Sequence, residues 1–327
     1  MVWSRIVHVC RAGILVIPAL LIACGALAQS WPTKPVRFVV PAQLGTSPDI
    51  FGRLLGDKLA AIWGQQVLIE NRGGGGGAPA MVAVVRAAPD GATFAMISTT
   101  AIAITPYLLK EQPFNPESDL VPVATIGGGP MLLAVNPSVP AHTLPELVKL
   151  AKAQPGKLNL SVSNLHNIPH LSAEMLSGVA GIQLYPVAYN GSNVSLTAAI
   201  SGEAHVIVDG AAVIAPHVKS GRLRAIALTS LERMKGFETV PTVAETYPKF
   251  QAEGWFALLA PAKTPQAIVE RVNRDINTVM QMPDVVARFE QLGNYPITGD
   301  PKFATDFIRA EQAKWSKVIR DIGVKPQ

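Results

Sequence analysis

The sequence is short of charge and of aromatic residues, and its two cysteines are confined to the first 30 positions. Of 327 residues, 16% are Asp, Glu, Lys or Arg and 6% are aromatic, against about 25% charged in an average soluble domain. The 28 basic and 23 acidic side chains leave a formal charge of +5. No long Lys/Arg run stands behind that excess, which argues against a nucleic-acid partner. Disorder is excluded, because 49% of the residues are hydrophobic and disordered chains are poor in them. Cys10 and Cys24 are the cysteines, so nothing beyond residue 28 supplies a thiol nucleophile or a disulfide. A chain about twice the length of a typical domain builds a core without one.

Cofactor and catalytic signatures are also missing. The run Gly73–Gly77 is not followed by Gly-Lys-Ser/Thr, so no lysine is placed for a phosphate. It follows the second expected strand rather than the first, where a dinucleotide fold carries its glycines; it reads as a flexible turn into a helix. There is no Gly-x-Ser-x-Gly elbow. His166 and His170 are four apart, but Pro169 lies between them and no glutamate follows the first, which excludes a zinc-protease motif. His142, His205 and His217 stand alone and read as structural or surface residues. No cofactor and no metal is expected. The remaining enzymatic alternative is an exported enzyme using His166 or His170 as a base near Asp209; it lacks a nucleophile held by a third group. The residues point to binding rather than catalysis.

The N-terminus reads as an export signal. Arg5 and Arg11 precede an apolar stretch, Ala12 to Ala28, that ends in Ala26-Leu27-Ala28 before Gln29. This is the layout of a signal peptide over residues 1–28. Pro18 and Gly25 interrupt the stretch, which is at the lower length limit for a spanning helix. Leu21-Ile22-Ala23-Cys24 also fits a lipobox, so a protein lipid-anchored through Cys24 is the alternative to a free periplasmic one.

The rest of the chain alternates strand and helix patterns. Strands are expected at Val36–Val40, Val67–Ile69, Thr93–Ile97, Met131–Val135, Asn159–Ser163, Leu184–Tyr189, Val206–Val208, Arg222–Thr229 and Trp255–Leu259. Ser47-Pro48 opens a helix, with Ser47 as N-cap and Ile50, Leu54, Leu55, Leu59 and Ile62 on one face. Further helices are expected around Ala78–Ala88, Thr143–Ala153, Pro169–Val179 and Ser192–Ile200. Two more begin at Thr264-Pro265 and Asp300-Pro301. Thr143 and Glu146 have the spacing of a capping box. Alternation of this kind argues for βαβ units and parallel sheet. The expected fold is α/β, with two Rossmann-like lobes around a ligand cleft: residues 30–132 plus 256–327 as lobe I and 133–255 as lobe II. Crossings are expected near Met131–Val135 and Trp255–Leu259.

Polar loops fall at the C-terminal ends of the expected strands, where open parallel sheets bind ligands. They are Gln43–Asp49, Ser98–Thr100, Ser163–Asn167, Asn190–Asn193 and Asp209–Ala211. Three lead into helix N-termini, whose free N–H groups and dipole favour an anion.

An ordered set of motifs then carries a family resemblance. Trp31-Pro32-Thr33-Lys34-Pro35-Val36-Arg37, Glu70-Asn71-Arg72 before the glycine run, and Ala88-Pro89-Asp90-Gly91 come first. Ala151-Lys152-Ala153-Gln154-Pro155-Gly156-Lys157-Leu158, His170-Leu171 with Glu174, Val240-Pro241-Thr242-Val243-Ala244-Glu245, Ala260-Pro261-Ala262 and Lys314-Trp315 follow. The chain resembles the substrate-binding proteins of tripartite tricarboxylate transporters, the Bug family. The resemblance implies a two-lobed periplasmic binding protein, not an enzyme, that takes a small carboxylate and presents it to a membrane transporter or sensor. It implies that the loop after the first strand holds the ligand's carboxylate, partly through water. A monomer without a nucleic-acid partner is expected.

The sequence departs from that family's pattern at the site. Its first loop reads Gly45-Thr46-Ser47-Pro48-Asp49 where the family has more glycine. The second-lobe loop reads Asn164-Leu165-His166-Asn167, and Tyr189-Asn190-Gly191 replaces Tyr-Lys-Gly with loss of a cation. The expected contacts are Gly45, Thr46, Ser47 and Asp49, with Ser98 and Thr99, from one lobe. Asn164, His166, Asn167, Asn190, Gly191 and Asp209 come from the other.

Overall fold

The computed structural model describes residues 31–324 and 326; the expected export signal, with Cys10, Cys24 and Gln29, lies outside the described residues. Three parallel strands form one half of the sheet: β1 (Val36–Val40) lies between β2 (Val67–Asn71) and β3 (Thr93–Ser98). In the other half, β5 (Asn159–Val162) lies between β6 (Tyr185–Ala188) and β7 (Val206–Gly210), again parallel. Two antiparallel strands join the halves, giving the order β2-β1-β3-β9-β4-β7-β5-β6 with β4 (Leu120–Val135) and β9 (Glu253–Pro261) in the middle. A short β8 (Arg224–Leu228) and the two-residue β10 (Tyr295–Pro296) pair with β4 off that path.

β4 is the element that makes one sheet of two. Its first part, Leu120 to Pro130, pairs with β9, and its last five residues, Met131 to Val135, pair with β7. Periodicity finds the second part alone. The first carries Pro122, Pro130 and Gly127-Gly128-Gly129, residues that weaken a strand pattern. The structure needs those glycines for space. A Cβ on Gly127 would lie 2.4 Å from the Phe289 ring, and one on Gly129 would lie 2.6 Å from the carbonyl of Gly293. β9 pairs with β3 and the first part of β4 and does not itself run on into the other half.

Helices cover both faces. In the first half, Val36, Phe38 and Val40 of β1 project to one side against α1 (Ser47–Trp63) and α7 (Gln266–Met280). Val39 projects to the other, against α2 (Ala78–Val85) and α9 (Pro301–Asp321). Alternation along the strand thus feeds two helical layers. Burying Phe51, Leu55 and Leu59 of α1 is worth about 1.5–3 kcal/mol per side chain. In the second half, α3 (Leu144–Ala153), α4 (Ile168–Ala180), α5 (Ser192–Ser201) and α6 (Ala211–Lys219) surround β5 and β7. Pro216 inside α6 reads as a breaker in sequence, and that helix was not expected. α8 (Pro283–Gln291) is too short for a firm periodic pattern.

Two caps differ from expectation. Thr46, not Ser47, occupies the N-cap of α1; its side chain does not cap the helix but donates to the Gln43 carbonyl at 2.6 Å. Thr143 does cap α3, accepting from the Glu146 N–H at 3.3 Å, while Glu146 reaches back one residue further, to the His142 N–H.

Candidate binding cleft

Both halves of the sheet direct the C-terminal ends of their parallel strands at one cavity of about 410 Å³, within the range of small-molecule sites. From the first half, the loop after β1 contributes Gln43, Thr46 and Ser47, and the end of β3 contributes Ser98 and Thr99. From the second, Asn164, His166 and Asn167 come from the β5–α4 loop, Asn190 and Gly191 from the β6–α5 loop, and Asp209 from β7. Side chains from widely separated segments meet because every βα loop of a parallel sheet emerges at the same edge.

Five helices start at this cavity: Ser47 and Pro48 of α1, Gly77 before α2, Ile168 of α4, Ser192 of α5 and Gly210 before α6 all line it. The first-turn N–H groups of a helix lack intrahelical partners and carry the positive end of its dipole. Some are claimed within the protein: the Asn167 side chain accepts from the His170 N–H at 3.1 Å, and Thr100 Oγ1 accepts from the Ile168 N–H at 3.2 Å. Apolar side chains also line the cavity: Leu108, Leu109, Met131, Trp255 and Phe256. The site therefore combines anion-favouring helix starts with apolar surface. Among the described residues, no group of three His, Cys, Asp or Glu side chains could hold a metal ion.

Contacts close the cleft mouth from both sides. Gln43 Nε2 donates to Asn190 Oδ1 at 3.0 Å, and Asn193 Nδ2 donates to the Leu44 carbonyl at 3.2 Å. Approach is so close that a Cβ on Gly210 would lie 2.5 Å from Ser47 Oγ.

Gly45 and Asp49 are not among the lining residues. Asp49 is 3% exposed and turns back into its own loop. Its Oδ2 accepts the Gly45 N–H at 2.9 Å and its Oδ1 accepts Arg53 Nε at 3.0 Å. Burial pushes its pKa up, but the hydrogen bonds from Arg53 and Gly45 outweigh it and hold the carboxyl below its usual range. Asp49 thus shapes the loop that presents Thr46 and Ser47.

The two histidines differ in position. His166 faces the cleft in a left-handed conformation, φ 59°; burial first, and then the neighbouring His170, depress its pKa. His170 is buried, and its Nδ1 accepts the His166 N–H at 3.0 Å. Its Nε2 lies 3.4 Å from Glu174 Oε1. His170 is not among the residues lining the cleft.

Asp209 is the buried acid of the site. Its Oδ1 accepts the Gly210 N–H at 2.7 Å, and its Oδ2 has no hydrogen-bond partner. Burial pushes its pKa up to about 6, against the opposing influence of the Gly210 N–H and of the nearby Ser192 hydroxyl.

Sequence reasoning missed the glycine run as part of the wall. Gly73 to Gly77 all line the cavity. Gly74 to Gly77 have φ between 53° and 97°, a region that disfavours L side chains. Thr105 Oγ1 donates to the Gly76 carbonyl at 2.9 Å and anchors the turn. The consecutive glycines were the available signal: a backbone of this kind brings its own N–H and C=O groups close to a ligand.

This fold and cleft define a two-lobed binding protein of the periplasmic type, an α/β architecture that solved structures share. Rpa4515 of R. palustris, solved with adipate, is 30% identical, with a TM-score of 0.88 over 91% of this chain and 100% of that one. MatC from Rhodopseudomonas palustris, solved with bound malate, is 27% identical, with a TM-score of 0.81 over 88% of this chain and 99% of that one. BugT of Bordetella pertussis is 33% identical over 306 residues, 93% of this chain and 94% of its own. Residues 51–324 match the tripartite tricarboxylate transporter family receptor, TctC. The chain belongs to that family, as its motifs led us to expect.

Proposed function

We propose that this chain is a periplasmic solute-binding protein that captures a small organic acid in its cleft and presents it to a membrane transporter. The observation that carries the reading is the convergence of five helix N-termini, from both halves of the sheet, on one cavity lined by both polar and apolar residues. A carboxylate suits the free N–H groups, and the carbon skeleton suits the Met131, Trp255 and Phe256 wall. Thr46, Ser47, Ser98, Thr99, Asn164, His166, Asn167, Asn190 and Gly191 are the proposed contacts, with Gly45 and Asp49 acting through the shape of the first loop. Residues 30–132 plus 256–327 and residues 133–255 are the proposed lobes, with β4 as the strand that bends between them. The adipate and malate of the two Rhodopseudomonas proteins support the ligand class. Among the described residues, no helix is long and apolar enough to cross a membrane. We read the cleft as a site for binding rather than chemistry, since among the described residues no hydroxyl lining it is hydrogen-bonded to the His166 ring.

The test is a thermal-shift screen of small carboxylates on refolded, ligand-free mature protein, followed by calorimetry and recovery of the ligand. A saturable, stoichiometric complex returning the acid unchanged is expected. Absence of binding across mono- and dicarboxylates, or steady turnover lost in His166→Ala, would overturn the proposal.

A further inference from the structure

The cleft combines several sources of partial positive charge with one full negative one. Among the described residues that line it, the ionisable side chains are His166 and Asp209, and no lysine or arginine is present. Asp209 is 6% exposed, and its Oδ2 is a buried oxygen without a partner. An unsatisfied buried carboxylate oxygen is costly, and more so in a low dielectric. In a ligand-binding cavity a natural remedy is a donor on the ligand itself.

We propose that Asp209 sets the ligand class: its free oxygen accepts a hydrogen bond from an N–H group on the ligand, so the protein prefers an acid carrying an amino or amide group over a dianionic dicarboxylate. This rests on the carboxylate reading of the cleft given above. One carboxylate of the ligand meets the helix N-termini. A second, brought to Asp209, would face another carboxylate with no cation between them, and one of the two would have to take up a proton. A ligand N–H in the same place meets an acceptor instead. Ser47, whose Oγ packs against the Cα of Gly210, and Ser192 at the start of α5 narrow the space around Asp209, which favours a direct contact over a long water bridge. Ser47 from α1 lies against Gly210 and Ser192 from α5 lies near Asp209; His166 from the β5–α4 loop is the other ionisable side chain of the cavity lining. Burial, and then the neighbouring His170, lower the pKa of His166, which disfavours its charged form as the missing cation.

The probes are chain-length series from four to eight carbons, each length offered as the dicarboxylate, its monoamide and the ω-amino acid. They are titrated calorimetrically into ligand-free mature protein and into Asp209→Asn. In the wild type at pH 7.5, the best N–H-bearing acid is expected to bind at least tenfold tighter than the dicarboxylate of its length. Asp209→Asn keeps the shape and the acceptor for Gly210, and should shrink that preference to about threefold or reverse it. Lowering the pH from 7.5 to 5.5 should tighten dicarboxylate binding more in the wild type than in Asp209→Asn, the difference separating Asp209 from the titration of His166 and of the ligand's own carboxyls. Should Asp209→Asn fail to fold, the wild-type preference for the N–H-bearing acid at pH 7.5 decides alone. Dicarboxylates binding as tightly as their N–H-bearing partners, with no pH slope, would overturn the role of Asp209 and leave the carboxylate reading standing. Failure of every probe in the series would remove both.

Discussion

Asp49→Ala separates a loop-shaping role from ligand contact. The substitution deletes the two hydrogen bonds that a nearly buried carboxylate accepts, from the Gly45 N–H at 2.9 Å and from Arg53 Nε at 3.0 Å. A hydrogen bond to a charged group is worth about 1.5–3 kcal/mol. The Gly45 bond takes that range. The Arg53 side chain is 47% exposed, so its share falls to about 0–1 kcal/mol. The expected loss is therefore roughly 1.5–4 kcal/mol. At ~2 °C per kcal/mol for a chain of this size, Tm falls by about 3–8 °C. The pH dependence carries a sign. The folded pKa of Asp49 is lowered, so its contribution is complete above the unfolded value, about 4, and is lost as pH falls through the folded one. The gap between wild type and variant should stay level from pH 7 to 5 and narrow below pH 4. Scanning calorimetry across that range measures it, with ligand titration at pH 7 alongside. A Tm within about 1 °C of wild type, with affinity reduced tenfold or more, would refute this reasoning and return Asp49 to the ligand.

Gly77→Ala places a side chain at φ 92° and a Cβ 2.8 Å from that of Pro41, whereas Gly64→Ala, also left-handed at φ 64° and ψ 17°, meets nothing within 4 Å. Urea unfolding should show a loss of about 2 kcal/mol or more for the first and about 1–2 for the second, the cost of the backbone conformation alone; equal losses would contradict the packing account. Asn190→Ala removes the acceptor for Gln43 across the cleft mouth, a neutral bond worth about 0.5–1.5 kcal/mol. Ligand affinity should fall by roughly two- to tenfold, mostly through faster release, and stopped-flow dissociation checks it. Intact mass of the exported protein should begin at Gln29, or at a lipidated Cys24; a cytoplasmic product retaining Met1 would contradict both.

The sequence makes individual elements legible, because local chemistry decides them. Alternation of Val36, Phe38 and Val40 with Val39, or the Asp300-Pro301 start of α9 with Phe303 N–H on Asp300 Oδ1 at 2.7 Å, needs no distant residue to be understood. The polar loops at strand ends were legible as candidates for the same reason: parallel topology puts them on one edge. Rotation of a side chain within such a loop was not. Thr46 precedes Ser47, and Asp49 follows it by two residues in the first turn of α1, yet Asp49 turns inward to Gly45 and Arg53 and the Thr46 hydroxyl turns to Gln43. An acid beside a site reads as part of it until its own hydrogen bonds are seen.

Residues whose reason lies elsewhere in the chain stayed hidden. Gly127 and Gly129 interrupt a strand pattern only because Phe289 and Gly293, far along the chain, come to rest against them. The glycine run before α2 looks like flexibility in isolation. In the fold, Pro41 and Ala101 press on Gly77, and Thr105 holds the carbonyl of Gly76. The same residues that seem permissive in sequence are thus fixed in conformation. Their contribution to the cleft is a wall of backbone, in which a Cβ on Gly76 or Gly77 would strike Thr105 or Pro41. That argument links the two unexpected features of the molecule. Bare backbone lets β4 pass beneath α8, and bare backbone lets the cleft form from two halves of one sheet.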